Sequence, residues 1–339
     1  MKPCYIHSHV SISAQSTFED SEEALKILDS QGIRLEAQHP NYRDHIAISS
    51  LRRMSTGVKM GITASKKALV RANLDMPDAV IVGSGIGCIE DTEKFLMPML
   101  SQNEDFLTPT SFIQSTHNTV AAQIALQLKC RNYNTTYVNG ASSFESALID
   151  AQLRLFEHEN QRLLVGAVDE LGQDFVNAMI HLDKQQIQPI EVAWSEGAHF
   201  FVLSEHRSND CSKLLGVKTF SKLDRKQVET EMLKFLTDKG KDIHNIDAFG
   251  CGRNGDLYDC FYDELNGLGS GTIPQFNYKS YCGEYFTASA FGMWMACEMV
   301  EKQRFYDCLS EPPEKSLKTV LIYNQFKGRD HSFTLIEAC

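Results

Sequence analysis

The two halves of this sequence contain the same order of predicted strands, turns and helices. Each half has a strand that ends in a glycine turn, then a strand followed by a turn and an apolar helix, and then a closing strand. The matching segments are residues 79–87 and 246–256, residues 135–155 and 274–300, and residues 161–170 and 318–326. This alternation predicts an α/β protein whose sheets are covered by helices. The repeat is too long for a solenoid, so we expect two fused halves, residues 1–212 and 213–339, in one compact unit.

Residues 135–155 form the most informative strand–turn–helix unit. The turn at Asn139 and Gly140 comes directly before the helix, as in a nucleophile elbow. Such a turn raises one side chain at the helix N-terminus, where backbone amides and the helix dipole can stabilise an anion. Cys or Ser would be expected at that position, but the sequence has Ala141. The chain therefore has the scaffold of a reaction site without its reactive group.

Composition and charge exclude several classes of function. No uninterrupted apolar run reaches the roughly 20 residues that a membrane helix needs, and no basic-then-apolar leader begins the sequence, so we expect a cytoplasmic protein without membrane contact. The ten cysteines include no C-x-x-C pair, which favours reduced thiols and no metal site. The formal net charge of −11 argues against nucleic-acid binding and against direct docking of a strongly acidic partner.

A short glycine-rich segment, GSGIGC at residues 83–88, follows a predicted strand and is similar to a dinucleotide-binding turn. Its last position is Cys88, and Glu90, Asp91 and Glu93 follow where a pyrophosphate would lie. We interpret it as a strand-to-loop turn, and we expect no cofactor.

Seven segments, in order along nearly the whole chain, resemble the β-ketoacyl synthases of the thiolase fold. They are SSLRRMSTGVKMGITASKKAL at 49–69, the elbow region at 111–155, LLVGAVDEL at 163–171, SEGAHFFVLSE at 195–205, IDAFGCGRNGD at 246–256, NYKSYCGEYFTASAFG at 277–292 and YNQFKGRDHSFTLIE at 323–337. The last four are similar to that family's GEGAG-x-L-x-L strand, HGTGT-x-x-GD loop, KS-x-x-GH motif and FGFGG-x-N loop. The resemblance implies two duplicated α/β halves in a five-layer αβαβα arrangement.

The same resemblance implies that the catalytic groups are missing. Active members use a Cys at the elbow and two His residues, and these positions fall on Ala141, Phe249 and Glu284. The family's supporting Lys is retained as Lys279, while the glycine-rich oxyanion loop has become residues 326–330. Alanine forms no thioester, phenylalanine donates no hydrogen bond, and an ionised glutamate repels an enolate. We therefore expect no ketosynthase activity.

Within the family, the chain resembles the chain-length factors, which pair with a catalytic ketosynthase and shape the cavity into which the acyl chain grows. The resemblance implies a heterodimer with a large apolar interface, of about 2,000–5,000 Å². It also implies contact with acyl carrier protein only indirectly, through the partner. Known chain-length factors carry Gln at the elbow, whereas this chain has Ala141. The segment before the elbow strand supplies candidate tunnel and interface residues, namely Phe112, Gln114, Thr116, His117 and Thr119.

Two alternatives stay open at this stage. One is an acyl-transfer or condensing enzyme with a relocated nucleophile at Cys251, Cys282 or Ser142, with Glu284 as a base. Against it, buried Cys is often inert and Ser at a helix start usually caps the helix. The other alternative is a homodimeric pseudoenzyme that binds an acyl ligand without synthesis.

Overall fold

The computed structural model describes residues 2–19, 23–28, 34–101, 107–185, 190–208, 211–268, 273–313 and 315–339. Its strands are β1 Tyr5–Ile12, β2 Arg34–Leu35, β3 Ala79–Gly83, β4 Tyr133–Tyr137, β5 Arg162–Asp169, β6 Trp194–Ser195, β7 Gly197–Ser204, β8 Ser212–Ser221, β9 Ala248–Cys251, β10 Gln275–Asn277, β11 Thr319–Phe326 and β12 Asp330–Ala338. Its α-helices are α1 Ile48–Leu51, α2 Thr56–Arg71, α3 Ile89–Ser101, α4 Pro109–Ser115, α5 Thr119–Leu128, α6 Ser143–Glu157, α7 Gln173–Gln185, α8 Val228–Asp238, α9 Lys279–Cys282 and α10 Ser289–Lys302.

Ten of these strands form one hydrogen-bonded sheet whose two halves have the same topology. The strand order is β4-β3-β5-β7-β1 in the first half and β10-β9-β11-β12-β8 in the second. In each half the first three strands pair in parallel, and the fourth strand is antiparallel to both of its neighbours. The halves join where Tyr5 and Ile6 of β1 pair with Lys213 and Ser212 of β8. The duplication expected from the sequence is therefore present in the strand order.

The strands and helices are arranged in five layers. The largest apolar cluster contains residues of α6 and α10 together with residues from the strands of both halves, so these two helices lie between the two half-sheets. A second cluster packs α2 and α5 on the outer face of the first half-sheet. A third packs α8 on the outer face of the second. The predicted boundary at residue 212 coincides with the first residue of β8, and the division into two units stays a prediction.

The central position of α10 explains its composition. Every residue from Ser289 to Val300 is buried, because the helix meets apolar side chains on all sides. Strand β1 is harder to predict from its apolar pattern, since His7, Ser8, His9 and Ser11 interrupt it. No helix in the described ranges is long and apolar enough to cross a membrane.

Candidate functional site

The elbow lies between β4 and α6, as expected from its sequence. Gly140 has φ of +56°, a left-handed conformation that glycine adopts without strain, and a short 3-10 turn, Gly140–Ser142, leads into α6. The Ser143 hydroxyl accepts from the Asn139 amide at 2.8 Å and donates to the Gly140 carbonyl at 2.7 Å. Ala141 is 4% exposed. The turn is therefore well braced, and a methyl group occupies its apex.

The loop after β3 packs directly against the elbow. A side chain at Gly83 would overlap the backbone of Ser143 and Phe144, and a side chain at Gly85 would overlap Phe286. Gly83, the last residue of β3, and Gly85, in the loop, are thus explained by the close approach of other protein atoms.

Asp169, the last residue of β5, holds this loop against the segment that precedes α10. One carboxylate oxygen accepts from the Gly85 amide at 2.8 Å and the Ser84 hydroxyl at 3.2 Å. The other accepts from the Thr287 amide at 2.9 Å and hydroxyl at 2.8 Å. Burial raises the pKa of Asp169, and these four donors oppose that effect. The sequence resemblance includes this strand, but it did not assign Asp169 this role.

Three aromatic side chains meet beside the elbow. The nearest atom to a side chain built at Gly140 is Phe286 Cδ1, at 4.0 Å. The Phe286 ring centroid lies 5.2 Å from that of Phe326 and 6.0 Å from that of Phe175. All three rings are partly exposed, so they lie between the elbow and the surface. We call Phe175, Phe286 and Phe326 the aromatic cover.

Lys279 and Glu284 form a buried ion pair. The Lys279 ammonium lies 2.6 Å from Glu284 Oε2, and each side chain is 2% exposed. The backbone of Glu284 is fixed as well, because its amide donates to the Ala193 carbonyl and its carbonyl accepts from the Ser195 amide. Glu284, which the sequence resemblance aligns with a His of the family, is thus held in place by Lys279.

A second buried acid, Glu145, lies on α6 one turn after Ala141. Its Oε1 accepts from the Ser332 hydroxyl at 2.9 Å, while its Oε2 and the buried Ser289 hydroxyl lack hydrogen-bond partners. Burial raises the pKa of Glu145. The sequence analysis missed this residue because a Glu on an amphipathic helix is usually solvent-exposed.

The other residues considered for chemistry lie in separate surroundings. Phe249 and Cys251 pack in the apolar cluster beneath α8, on the outer face of the second half-sheet. Cys282 belongs to the central cluster, and Ser142 is partly exposed at the elbow. Burial raises the pKa of Cys251 to about 12 and raises that of Cys282 further. Phe249 and Cys251 therefore pack away from the central helical layer.

The five candidate tunnel residues lie on α4, in the turn that follows it and at the start of α5. Phe112, Thr116 and His117 are exposed, whereas Gln114 and Thr119 are buried. The Thr116 and Thr119 hydroxyls are 2.8 Å apart, and each also donates to the Ile113 carbonyl. The Phe112 ring packs against that of Phe95 at 5.1 Å.

Strand β4 forms one edge of the large sheet, and apolar side chains surround that edge. It pairs with β3 on one side. Large apolar residues on α4, α5, β4 and α6 are exposed, namely Phe112, Ile113, Leu126, Tyr133, Val138, Leu153 and Phe156. We call this set, together with the side of β4 that pairs with no strand among the described residues, the β4 face. An unpaired edge with exposed apolar flanks is typical of a surface that binds another chain.

A polar cavity of about 310 Å³ lies beside Lys279, between the loops that follow β9 and β10. Two donors in its wall are engaged within the protein: Arg253 Nη1 donates to the Asp259 carbonyl at 3.2 Å, and Asn277 Nδ2 donates to the Arg253 carbonyl at 3.0 Å. Asp256 caps the helical segment in the first loop by accepting from the Tyr258 amide at 2.8 Å. No group of three or more His, Cys, Asp or Glu side chains is placed to hold a metal ion in the parts of the chain that are described.

The family model for the β-ketoacyl synthase N-terminal domain matches residues 30–241, more than half of the chain. The protein therefore belongs to the β-ketoacyl synthase family. A search of curated proteins gave no match.

Solved structures of this family have the same fold. The ishigamide ketosynthase/chain length factor superposes with a TM-score of 0.79 at 16% identity, covering 100% of this chain and 99% of that one. The AntDE:AntF complex, a type II PKS acyl-carrier protein with its ketosynthase bound to the hexaketide, gives 0.77 at 15% identity, with 100% of both chains covered. The ketosynthase ApeO in complex with its chain length factor ApeC, from Xenorhabdus doucetiae, gives 0.73 at 13% identity, covering 100% of this chain and 98% of that one. The thiolase fold expected from the sequence is confirmed.

Proposed function

We propose that this protein is a non-catalytic ketosynthase-like subunit, of the chain-length-factor type, that pairs with an active β-ketoacyl synthase. In the pair, the partner makes the carbon–carbon bonds, and this chain shapes the tunnel that receives the growing polyketide, polyene or fatty-acyl chain. The observation that carries the proposal is a fully braced elbow around the methyl group of Ala141.

The groups around the elbow support a loss of catalysis. A ketosynthase needs a thiolate nucleophile and donors aimed at developing negative charge. Here Ala141 has no thiol, Phe249 packs beneath α8, and Glu284 neutralises Lys279. Catalytic groups act together, and the loss of one can reduce the rate by about 10⁴–10⁶. Three simultaneous losses leave no pathway for the family's condensation.

The β4 face supports pairing. An edge strand flanked by Leu126, Leu153 and Phe156 can extend its sheet across a partner and bury those side chains. Two of the relatives with solved structures are described as ketosynthases with chain length factors, which is the type of assembly we propose. Phe112 lies in the same face, so it and its neighbours on α4 are our candidates for setting tunnel depth.

The acidic balance of the chain supports a carrier protein that docks on the partner. With 44 acidic and 33 basic residues, this subunit repels an acidic protein on average. The carrier would then reach this chain only through the shared tunnel.

The relocated-nucleophile alternative is disfavoured by thiol chemistry. The thiolate is the reactive form of Cys, and the raised pKa values of Cys251 and Cys282 keep both thiols protonated at neutral pH. The homodimeric alternative uses the same β4 face, with a second copy of the chain in place of the ketosynthase.

The test is affinity purification of the tagged chain from its native host, followed by intact-mass analysis. We expect a one-to-one complex with a ketosynthase that contains the Cys and both His residues. Recovery of the chain alone, with an acyl group on Cys251, Cys282 or Ser142, would overturn the proposal, and a stable homodimer would favour the acyl-binding alternative.

Matched surface variants locate the contact. Leu153 and Phe156 are 47% and 57% exposed, so a Leu153→Asp, Phe156→Asp double variant should fold normally and lose the partner. The control is Val70→Asp on α2, which is 78% exposed on the outer layer and should keep the partner. Equal recovery of the ketosynthase by both variants would place the interface elsewhere.

A further inference from the structure

Phe286 is positioned to decide whether anything can reach the apex of the elbow. It lies in the segment between Glu284 and α10, and its side chain is in contact with the position of Gly85 and close to Gly140. Gly85 lacks a side chain, so Phe286 lies closer to its backbone than any other residue type would allow, and at Gly140 a built side-chain carbon would lie 4.0 Å from Phe286 Cδ1.

The position of Phe286 is fixed from two directions. Asp169 binds the amide and hydroxyl of Thr287, the next residue, and also binds the amide of Gly85, against which the ring packs. Phe326, at the end of β11, covers the other side of the ring at a centroid distance of 5.2 Å. A side chain held at its base and packed on two sides resists rotation away from the elbow.

We propose that Phe286 is a steric plug that closes the elbow to thiols and to acyl thioesters. A thioester carbonyl would have to approach within about 3–3.5 Å of the side chain at position 141 to react. The Phe286 ring occupies the approach beside Gly140. The missing nucleophile at Ala141 and the ring of Phe286 would therefore each prevent a reaction at the elbow. Restoring the nucleophile alone, or removing the ring alone, would not restore the reaction.

This inference deepens the proposed function and rests on it in one respect, that no reaction takes place at residue 141. Its test uses the isolated chain and needs no partner. A failure of the plug therefore leaves the co-purification result unchanged, and a failure of pairing leaves the plug unchanged.

The experiment introduces a reporter thiol by Ala141→Cys and measures its alkylation by iodoacetamide, with peptide mass spectrometry to separate residue 141 from the ten native cysteines. We expect slow alkylation of A141C alone and at least tenfold faster alkylation in A141C/F286A. The matched control is A141C/F220A, which removes another partly buried ring, packed on Phe333 of β12, and should leave the rate at residue 141 unchanged.

Two further measurements keep the proposal falsifiable if F286A folds poorly. A141C/F286L keeps apolar bulk without the ring, and we expect a rate between those of A141C and A141C/F286A. Buried Cys282 serves as an internal reference, because its alkylation should stay slow in every variant. Alkylation of A141C as fast as A141C/F286L would refute the plug. Equal acceleration at Cys282 would also refute it, since the effect would then be general loosening.

Discussion

The buried ion pair between Lys279 and Glu284 offers the sharpest test of how this core is stabilised. Both side chains are 2% exposed, and their charged atoms are 2.6 Å apart. Removing one partner of such a pair leaves an uncompensated buried charge and costs about 3–5 kcal/mol. Lys279→Met should therefore destabilise the protein by about that amount. Replacing both residues, as in K279M/E284L, removes the unpaired charge, and similar double replacements are neutral or stabilise by about 1–4 kcal/mol.

Thermal unfolding followed by calorimetry measures this difference. The entropy of unfolding is about 2.1 cal/mol/K per residue, so a loss of about 3–5 kcal/mol in a 339-residue chain lowers the midpoint by about 4–7 °C. The control is Lys94→Met on α3, whose ion pair with Glu90 at 3.3 Å is largely exposed and should change stability by less than about 1 kcal/mol. If K279M unfolds at the same temperature as K94M, or if K279M/E284L is less stable than K279M, the reasoning is wrong.

Three further predictions concern buried groups elsewhere in the fold. Because burial raises the pKa of Glu145, the folded state holds its proton more tightly than the unfolded chain, so the contribution of Glu145 to the free energy of unfolding should fall as pH rises above about 4.5. Urea unfolding at pH 5 and pH 8 measures this fall, and Glu145→Gln should reduce it. An equal fall in the variant and the original protein would contradict the prediction. Gly85→Ala should cost about 1–3 kcal/mol in urea because its methyl group overlaps Phe286, and an unchanged midpoint would mean that the ring does not pack there. The Cys211 and Cys339 sulfurs are 2.7 Å apart, so oxidised glutathione should join them with the loss of two hydrogens and raise the unfolding temperature, whereas Cys339→Ser should show no such shift.

The local pattern of the sequence predicts the elbow well. A β-strand, Asn139-Gly140 and an amphipathic helix suffice, because the left-handed glycine and the helix start depend on neighbouring residues alone. The internal duplication is predictable for the same reason, since each strand–turn–helix unit is short. Strand β1 is less evident because its polar residues Ser8 and His9 are buried against other elements, where the Ser8 hydroxyl donates to the Ala68 carbonyl of α2 and His9 bonds Glu301 of α10.

The aromatic cover could not be predicted from local sequence patterns. Phe175, Phe286 and Phe326 come from α7, the segment before α10 and the end of β11, and only the folded sheets bring them together. Likewise, the burial of Glu145 depends on β12 and α10, which lie on the other half of the chain. Periodicity reports which face of one helix is apolar, but it does not report what a second half of the molecule will place against that face.

The charges near the elbow are consistent with the non-catalytic role that we propose. A ketosynthase centre needs spare positive charge and free donors for a developing enolate. Here Lys279 is neutralised by Glu284, and Glu145, whose pKa burial raises, adds no positive charge. Restoring a His at position 284 would take the carboxylate away from Lys279 and leave a buried ammonium without its counter-charge. In the non-catalytic role that we propose, a His at position 284 alone would therefore carry a cost in stability before any reaction could benefit.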